Sequence, residues 1–220
     1  MAAPKITLYY DIVSPFAYIA FKVLQTSPTF KKCDITFMPI FLGGIMKATG
    51  NTPPIRIKNK DKWINQERMR WARYFSVPIS ETSPEGFPPN TIALQRALTA
   101  ISQIAPDKLI PATEAAWQEF WGKANGKATQ PEVFVPILEK ILGSSQTKAV
   151  LEAANGAEIK ERLTTNTQQA FDSGAFGLPW FECTNSKGEK EGFWGIDHLG
   201  QVIDFLGLDR SLDRGFRAVL

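Results

Sequence analysis

The amino-acid sequence predicts an α/β fold that opens as β-α-β, closes as β-β-α and carries a large all-helical insertion between the two. Three observations predict it. A strand pattern turns into a helix pattern within Tyr9-Tyr10-Asp11-Ile12-Val13-Ser14-Pro15-Phe16-Ala17-Tyr18. From about Asn59 onward, apolar residues recur at helical spacing for roughly 110 residues. Near the carboxy terminus, two short alternating segments flank the turn Asn185-Ser186-Lys187-Gly188.

The first strand is Ile6-Thr7-Leu8-Tyr9-Tyr10, rich in β-branched and aromatic residues. Pro15 suits the first turn of a helix, where its missing N–H has no partner to lose, and residues 16–24 extend that helix. Residues 35–39 alternate as a second strand. Phe41-Leu42-Gly43-Gly44 follows, and then a loop, Ala48-Thr49-Gly50-Asn51-Thr52-Pro53-Pro54, whose Gly, Asn and paired prolines forbid regular structure. Helical spacing then covers 62–75, 92–104, 113–123 with Thr113 as its cap, 131–142 and 157–172. Ser173-Gly174 ends the last of these. Residues 180–184 form a third strand entered through Pro179, residues 191–194 pair back on it, and Gly195-Ile196-Asp197 opens the final helix with Asp197 as its cap. Residues 1–43 and 170–220 are expected to form the sheet domain, and 44–169 the inserted helical domain.

Composition narrows the functional classes. With 220 residues and 44% hydrophobic composition the chain can bury a substantial core. A net charge of +3 is too small to argue for nucleic acid or an anionic membrane. No apolar run approaches the ~20 residues of a membrane span, and no leader pattern precedes the strand that opens near Lys5. Ala218-Val219-Leu220 lacks the serine and lysine of the peroxisomal tripeptide. Cys33 and Cys183 belong to no CxxC pair and read as reduced thiols, so the expectation is a soluble intracellular protein, with mitochondrion, peroxisome and cytoplasm left open. The single histidine, His198, excludes a two-histidine zinc site and reads as a surface or capping-turn residue; no metal is expected. Arg56, Lys58, Lys60, Lys62, Arg68, Arg70 and Arg73, diluted by Asp61 and Glu67, read as a solvated face with room for one ligand lysine.

Ser14 is the leading candidate for chemistry. A serine at the strand-to-helix junction is first of all a cap that accepts a bond from an orphan amide. The same helix end also stabilises an anion.

Several motifs occur together and in order: Asp11-x-x-Ser14-Pro15-Phe16, Gly43-Gly44-Ile45-Met46-Lys47 with Gly50-Asn51-x-Pro53-Pro54, Gly174-Ala175-Phe176-Gly177-Leu178-Pro179, and Gly195-x-Asp197. In that combination the chain resembles the kappa class of glutathione transferases, which share a DsbA-like thioredoxin fold, and more distantly the bacterial 2-hydroxychromene-2-carboxylate isomerases. The resemblance implies Ser14 where a thioredoxin has its first motif cysteine and Ala17 where it has the second, so the thiol must come from a bound molecule, glutathione.

It further implies that Ser14 hydrogen-bonds the sulfur as the catalytic residue, with Pro15 and Phe16 beside it. Asn51 and Lys60 would take the glycine end. Leu178, before a cis Pro179, would pair its backbone with the cysteinyl part. Ile196 and Asp197 would take the γ-glutamyl end. Taken alone, Asp197 reads equally well as a cap and Asn51 as loop chemistry. A favourable helix end is worth up to about 2 kcal/mol, which brings a thiol of pKa ~8.5 to about 7 without a general base.

Many relatives read Ser-Pro-Tyr-Ser-Trp where this chain has Ser14-Pro15-Phe16-Ala17-Tyr18, so sulfur activation is expected to survive and acceptor preference to change. Phe16, Trp63 and Trp71 are candidates for an apolar acceptor pocket, with core packing an equal alternative for the two tryptophans. The expected activity is conjugation of the glutathione thiolate to electrophilic apolar substrates, in a homodimer implied by the family. The alternatives are an isomerase of the hydroxychromene type, or a non-catalytic protein of the same fold that binds glutathione or a peptide.

Overall fold

In the computed structural model, which describes residues 2–217, a four-stranded mixed sheet has the order β2-β1-β3-β4. β1 (Lys5–Tyr10) runs parallel to β2 (Asp34–Pro39), with Lys5 opposite Asp34 and Tyr10 opposite Pro39. On its other side β1 is antiparallel to β3 (Trp180–Thr184), which in turn pairs antiparallel with β4 (Lys190–Trp194), Trp180 opposite Trp194. The period of two sends β1 side chains to both faces. Ile6, Leu8 and Tyr10 enter the main core with α1 (Pro15–Thr26), while Tyr9 enters a second cluster with Ile40, Ile45, Ala170, Ala175, Leu178 and Trp180. Burial on both faces explains why this strand reads as nearly continuous apolar sequence.

α2 (Leu42–Thr49) follows β2 and packs against α8 (Ala157–Asp172) on the face of the second cluster. Between them lie α3 (Lys60–Tyr74), α4 (Ile92–Ile104), α5 (Leu109–Trp117) with a π-type turn over Gln118–Gly122, α6 (Pro131–Leu142) and α7 (Ser144–Asn155). After β4, a 3-10 turn at Ile196–His198 leads into α9 (Leu199–Phe205), whose Leu199, Val202 and Ile203 are buried. No helix among the described residues is long and apolar enough to cross a membrane. Ala218-Val219-Leu220 lies outside the described residues.

Several local expectations are corrected. Residues 42–49 are helical despite two glycines, each of which costs about 1 kcal/mol in a helix. Tertiary contacts outweigh that cost: the Phe41 ring lies over Gly43, Ile45 is buried, and the Leu42 N–H donates to the Asp11 carboxylate at 2.9 Å. Thr113 is not a cap, because α5 begins four residues earlier; its buried hydroxyl shares a 2.8 Å hydrogen bond with Tyr10. Asp197 does not cap the last helix either. Gly195, at φ 89°, turns the chain so that the Asp197 carboxylate folds back over it where a Cβ would stand.

Arg68 is not on a solvated face. It is 1% exposed, donates to the Ser80 carbonyl at 2.6 Å and the Glu81 carbonyl at 2.8 Å, and lies over the Trp121 ring.

Candidate functional site

β1 ends at Tyr10 and α1 starts at Pro15, so the four intervening residues make the turn that presents Ser14. Ser14 has extended backbone angles and is 6% exposed, and its Oγ accepts from the Ala17 N–H at 3.1 Å. The Ser14 N–H donates to the Asp11 carbonyl at 3.0 Å. This is a capped helix amino terminus with proline in its first turn and no acidic residue there, so nothing within the turn cancels the positive end of the helix. Cap formation uses a lone pair of Oγ, which leaves the hydroxyl proton to be donated to an anion.

The turn ahead of Ser14 is gripped residue by residue by side chains of the helical stretch. Gln95 of α4 donates to the carbonyls of Tyr10 at 3.0 Å and Ile40 at 2.6 Å. Thr91, at the start of α4, donates to the Asp11 carboxylate at 3.0 Å. Trp117 and Trp121 both donate to the Ile12 carbonyl. The second crossover is held the same way, with Asn166 on the Pro39 carbonyl and Thr167 accepting from the Phe41 N–H. Burial pushes the Asp11 carboxyl up to about 6, against the pull of hydrogen bonds from Leu42, Val13 and Thr91. Tyr18, one turn into α1, is fully buried and stacked on Trp117; burial raises its phenol to about 12.

The other candidates are placed as follows. Leu178 and Pro179, joined by a cis peptide, enter β3, and the Pro179 carbonyl accepts from the Gly195 N–H at 3.0 Å. This bond brings the Leu178-Pro179 and Ile196-Asp197 segments together at the sheet end where β1 also terminates. Ile196 is buried, so only its backbone is presented, whereas the Asp197 side chain is 60% exposed with His198 Nδ1 at 3.5 Å. The Asn51 side chain donates to the Phe176 carbonyl at 2.9 Å, tying the loop after α2 to the segment that leads into Leu178. Beside it, the exposed rings of Phe176 and Trp194 meet with centroids 4.9 Å apart.

Lys60 is exposed at the start of α3. Phe16 is half-buried against the main core. Trp63 is 54% exposed, with the Arg70 guanidinium over its ring, and Trp71 is stacked on Phe75 in an aromatic group that continues to Phe216. The Gly195–Pro179 bond ties the Ile196-Asp197 segment to Leu178-Pro179, the Asn51–Phe176 bond ties the α2 loop to the same segment, and α1, which Ser14 caps, contacts the Ile196–His198 turn, while Trp63 and Trp71 keep separate partners on α3.

The sequence pattern points to no role for Thr91 or Gln95, shows Asp11 only as part of the Ser14 motif and makes Arg68 look solvated. A signal was present for two of them: Thr91, Gln95 and Thr99 form a polar row at i, i+4 spacing beside Leu94, Leu98 and Ile101 on one helix. Cys33 and Cys183 are free, and burial raises their thiols to about 11 and about 12, so neither supplies a thiolate near neutral pH.

A sheet of order β2-β1-β3-β4 with a helix sprung from the end of its central strand defines a thioredoxin fold, here with a serine at the helix start. A family model described as the DSBA-like thioredoxin domain matches residues 5–207, and the chain belongs to that family. It is similar to glutathione S-transferase kappa 1 of Caenorhabditis elegans, 28% identical over 97% of this chain and 96% of that one. It is also similar to the 2-hydroxychromene-2-carboxylate isomerase of Sphingobium xenophagum, 26% identical over 91% of this chain and 97% of that one. A solved structure of 2-hydroxychromene-2-carboxylate isomerase superposes with a TM-score of 0.75 at 21% identity, covering 92% of this chain and 94% of that one.

Proposed function

We propose that the chain is a glutathione transferase of the kappa type, which holds the glutathione sulfur as a thiolate at the start of α1 and transfers it to an electrophilic apolar second substrate. The observation that carries the reading is Ser14: a buried hydroxyl that caps a 12-residue helix through its lone pair and keeps its proton to donate. Cys183 is buried and Cys33 half-buried, desolvation raises both thiols, and a sulfur brought in by a ligand fits that arrangement. The similarity to kappa transferases over nearly the whole chain supports glutathione as that ligand.

In this reading the Asn51 amide and Lys60 take the glycine carboxylate, Leu178 pairs its backbone with the cysteinyl residue ahead of Pro179, and the Ile196 and Asp197 segment takes the γ-glutamyl end. The exposed Asp197 carboxylate meets the ammonium group. Phe16, beside the serine, faces the acceptor. Residues 1–43 and 170–220 form the glutathione-binding domain, residues 44–169 hold the site in place and lend it Asn51 and Lys60, and two copies make the working unit. With an aryl halide, the thiolate forms a carbon–sulfur bond, halide leaves with the bonding pair, and the thiol proton has already passed to water.

The test replaces Ser14 with Ala. Conjugation of a chlorodinitrobenzene should fall by about 10²-fold while calorimetry still shows glutathione binding, as expected for loss of one donor to a developing or held anion. Unchanged turnover would overturn the reading. A second reading, glutathione-dependent isomerisation, is favoured by the similarity to the Sphingobium isomerase. It is distinguished by the fate of the sulfur, which leaves again in an isomerase and stays in the product of a transferase.

A further inference from the structure

Asp11 has no side-chain exposure, and among the described residues no salt bridge reaches it. Its carboxylate instead collects three donors from three parts of the chain. Oδ1 accepts from the Val13 N–H at 3.1 Å, while Oδ2 accepts from the Leu42 N–H at 2.9 Å and the Thr91 hydroxyl at 3.0 Å. Two of these bonds span 31 and 80 residues of sequence. Burying a carboxylate without a cation is costly, and an asparagine would turn an N–H2 toward at least one of these donors. An arrangement in which every contact is a donor has a use for the acceptor-only group. The Asp11 carbonyl meanwhile receives the Ser14 N–H, and α2, whose first amide is on the carboxylate, leads at its far end to Asn51.

We propose that Asp11 is a positioning residue of the sulfur site: its buried carboxylate sets the Ser14 turn, the start of α2 and the start of α4 in one arrangement, and thereby places the Ser14 hydroxyl against bound sulfur. The inference rests on the reading of Ser14 given above. Displacing a reacting group by about 1 Å costs on the order of 10²-fold in turnover, so the arrangement is felt in kcat before it is felt in binding.

The experiment compares the full-length native chain with Asp11→Asn, Thr91→Val, Thr91→Ser and the Asp11→Asn/Thr91→Val pair, using glutathione and a chlorodinitrobenzene. Asp11→Asn should lower kcat by about 10²-fold with the KM for glutathione within about threefold, and Thr91→Val should lower it by about tenfold. Thr91→Ser, which keeps the hydroxyl, should restore native turnover. The double variant should match Asp11→Asn, because the two residues act through one contact. In Thr91→Val the Asp11 charge is still present, so a rise in the titration midpoint of the bound thiolate's ultraviolet band reports a displaced Ser14. A purely structural role would leave that midpoint in place.

Native turnover in both single variants overturns the proposal, as does an additive double variant. Should Asp11→Asn fail to fold, the threonine pair decides: a loss in Val that Ser restores supports the proposal, and equal activity in the two overturns it. Ser14→Ala in the same assay separates the two claims. If it turns over like the native chain, the reading of Ser14 falls; if it is impaired while the Asp11 and Thr91 variants are not, only the present inference falls.

Discussion

Trp117 and Trp121 place their indole nitrogens on one acceptor, each 3.1 Å from the Ile12 carbonyl oxygen. They lie four residues apart, on either side of the passage from α5 into the π-type turn, and so share a face. Replacing either by Phe keeps the ring and removes one hydrogen bond, which should cost about 1 kcal/mol in urea unfolding. Replacing both leaves a buried carbonyl without a donor, a penalty of about 1–3 kcal/mol by itself, so the double variant should lose more than the sum of the singles.

Ser14 has a structural share as well as the proposed chemical one. As the cap of α1, its change to Ala should destabilise the fold by about 1 kcal/mol. Ser14→Asp should restore the cap but lose stability as pH rises, since its charge is buried near Asp11, and it should abolish conjugation by setting a negative charge where the sulfur must ionise. Thermal unfolding beside turnover separates the two effects.

Stability should carry the signature of Asp11. Its folded pKa, about 6, is raised from 3.8, so between those values the native state holds a proton that the unfolded chain has released. The sign follows: this residue disfavours folding as pH rises from about 4 to about 6, by an amount on the order of 3 kcal/mol, and the penalty is constant above that window. The stability difference between Asp11→Asn and the native chain, measured by denaturant at pH 5 and pH 8, should move in favour of the variant at the higher pH. A difference independent of pH would contradict the raised pKa.

Arg68 is a buried cation held by carbonyls and an indole. Arg68→Lys keeps charge but loses the fork that reaches Ser80, Glu81 and Asn65 together. It should destabilise by about 2–4 kcal/mol, because acceptors in the interior are left unpaired. Arg70→Lys, on the exposed side of the same helix, should stay within about 0.5 kcal/mol.

Thiol chemistry gives an independent check on the source of the sulfur. Burial raises both thiols, so iodoacetamide at pH 7.5 should alkylate the folded protein much more slowly than free glutathione. Cys33→Ser should leave conjugation unchanged.

What the sequence made legible was local. The strand before Ser14, the proline-led helix after it, the hairpin near the carboxy terminus and the helices at 92–104, 131–142 and 157–172 each announce themselves within a dozen residues, and the structure has them there. Contacts that decide the site are not local. Leu42 reaches Asp11 from 31 residues away, Thr91 from 80 and Trp121 reaches Ile12 from 109, and no periodicity encodes such pairs. Residues 42–49 were obscured for the same reason, since two glycines argue against a helix that Phe41, Ile45, the Asp11 carboxylate and packing on α8 stabilise. Arg68 shows the converse error, in which a charge among charges hides its burial.

The residue-by-residue grip on Tyr10, Asp11 and Ile12 bears on transplantation. Ser14-Pro15-Phe16-Ala17 moved onto a minimal scaffold of the same sheet order would carry the hydroxyl and the helix end but leave behind Gln95, Thr91, Trp117 and Trp121. The graft would own the nucleophile's cradle without its alignment. A designer who wants this chemistry on a smaller protein has to recreate four donors from two distant stretches, or replace them with a turn rigid enough to need none.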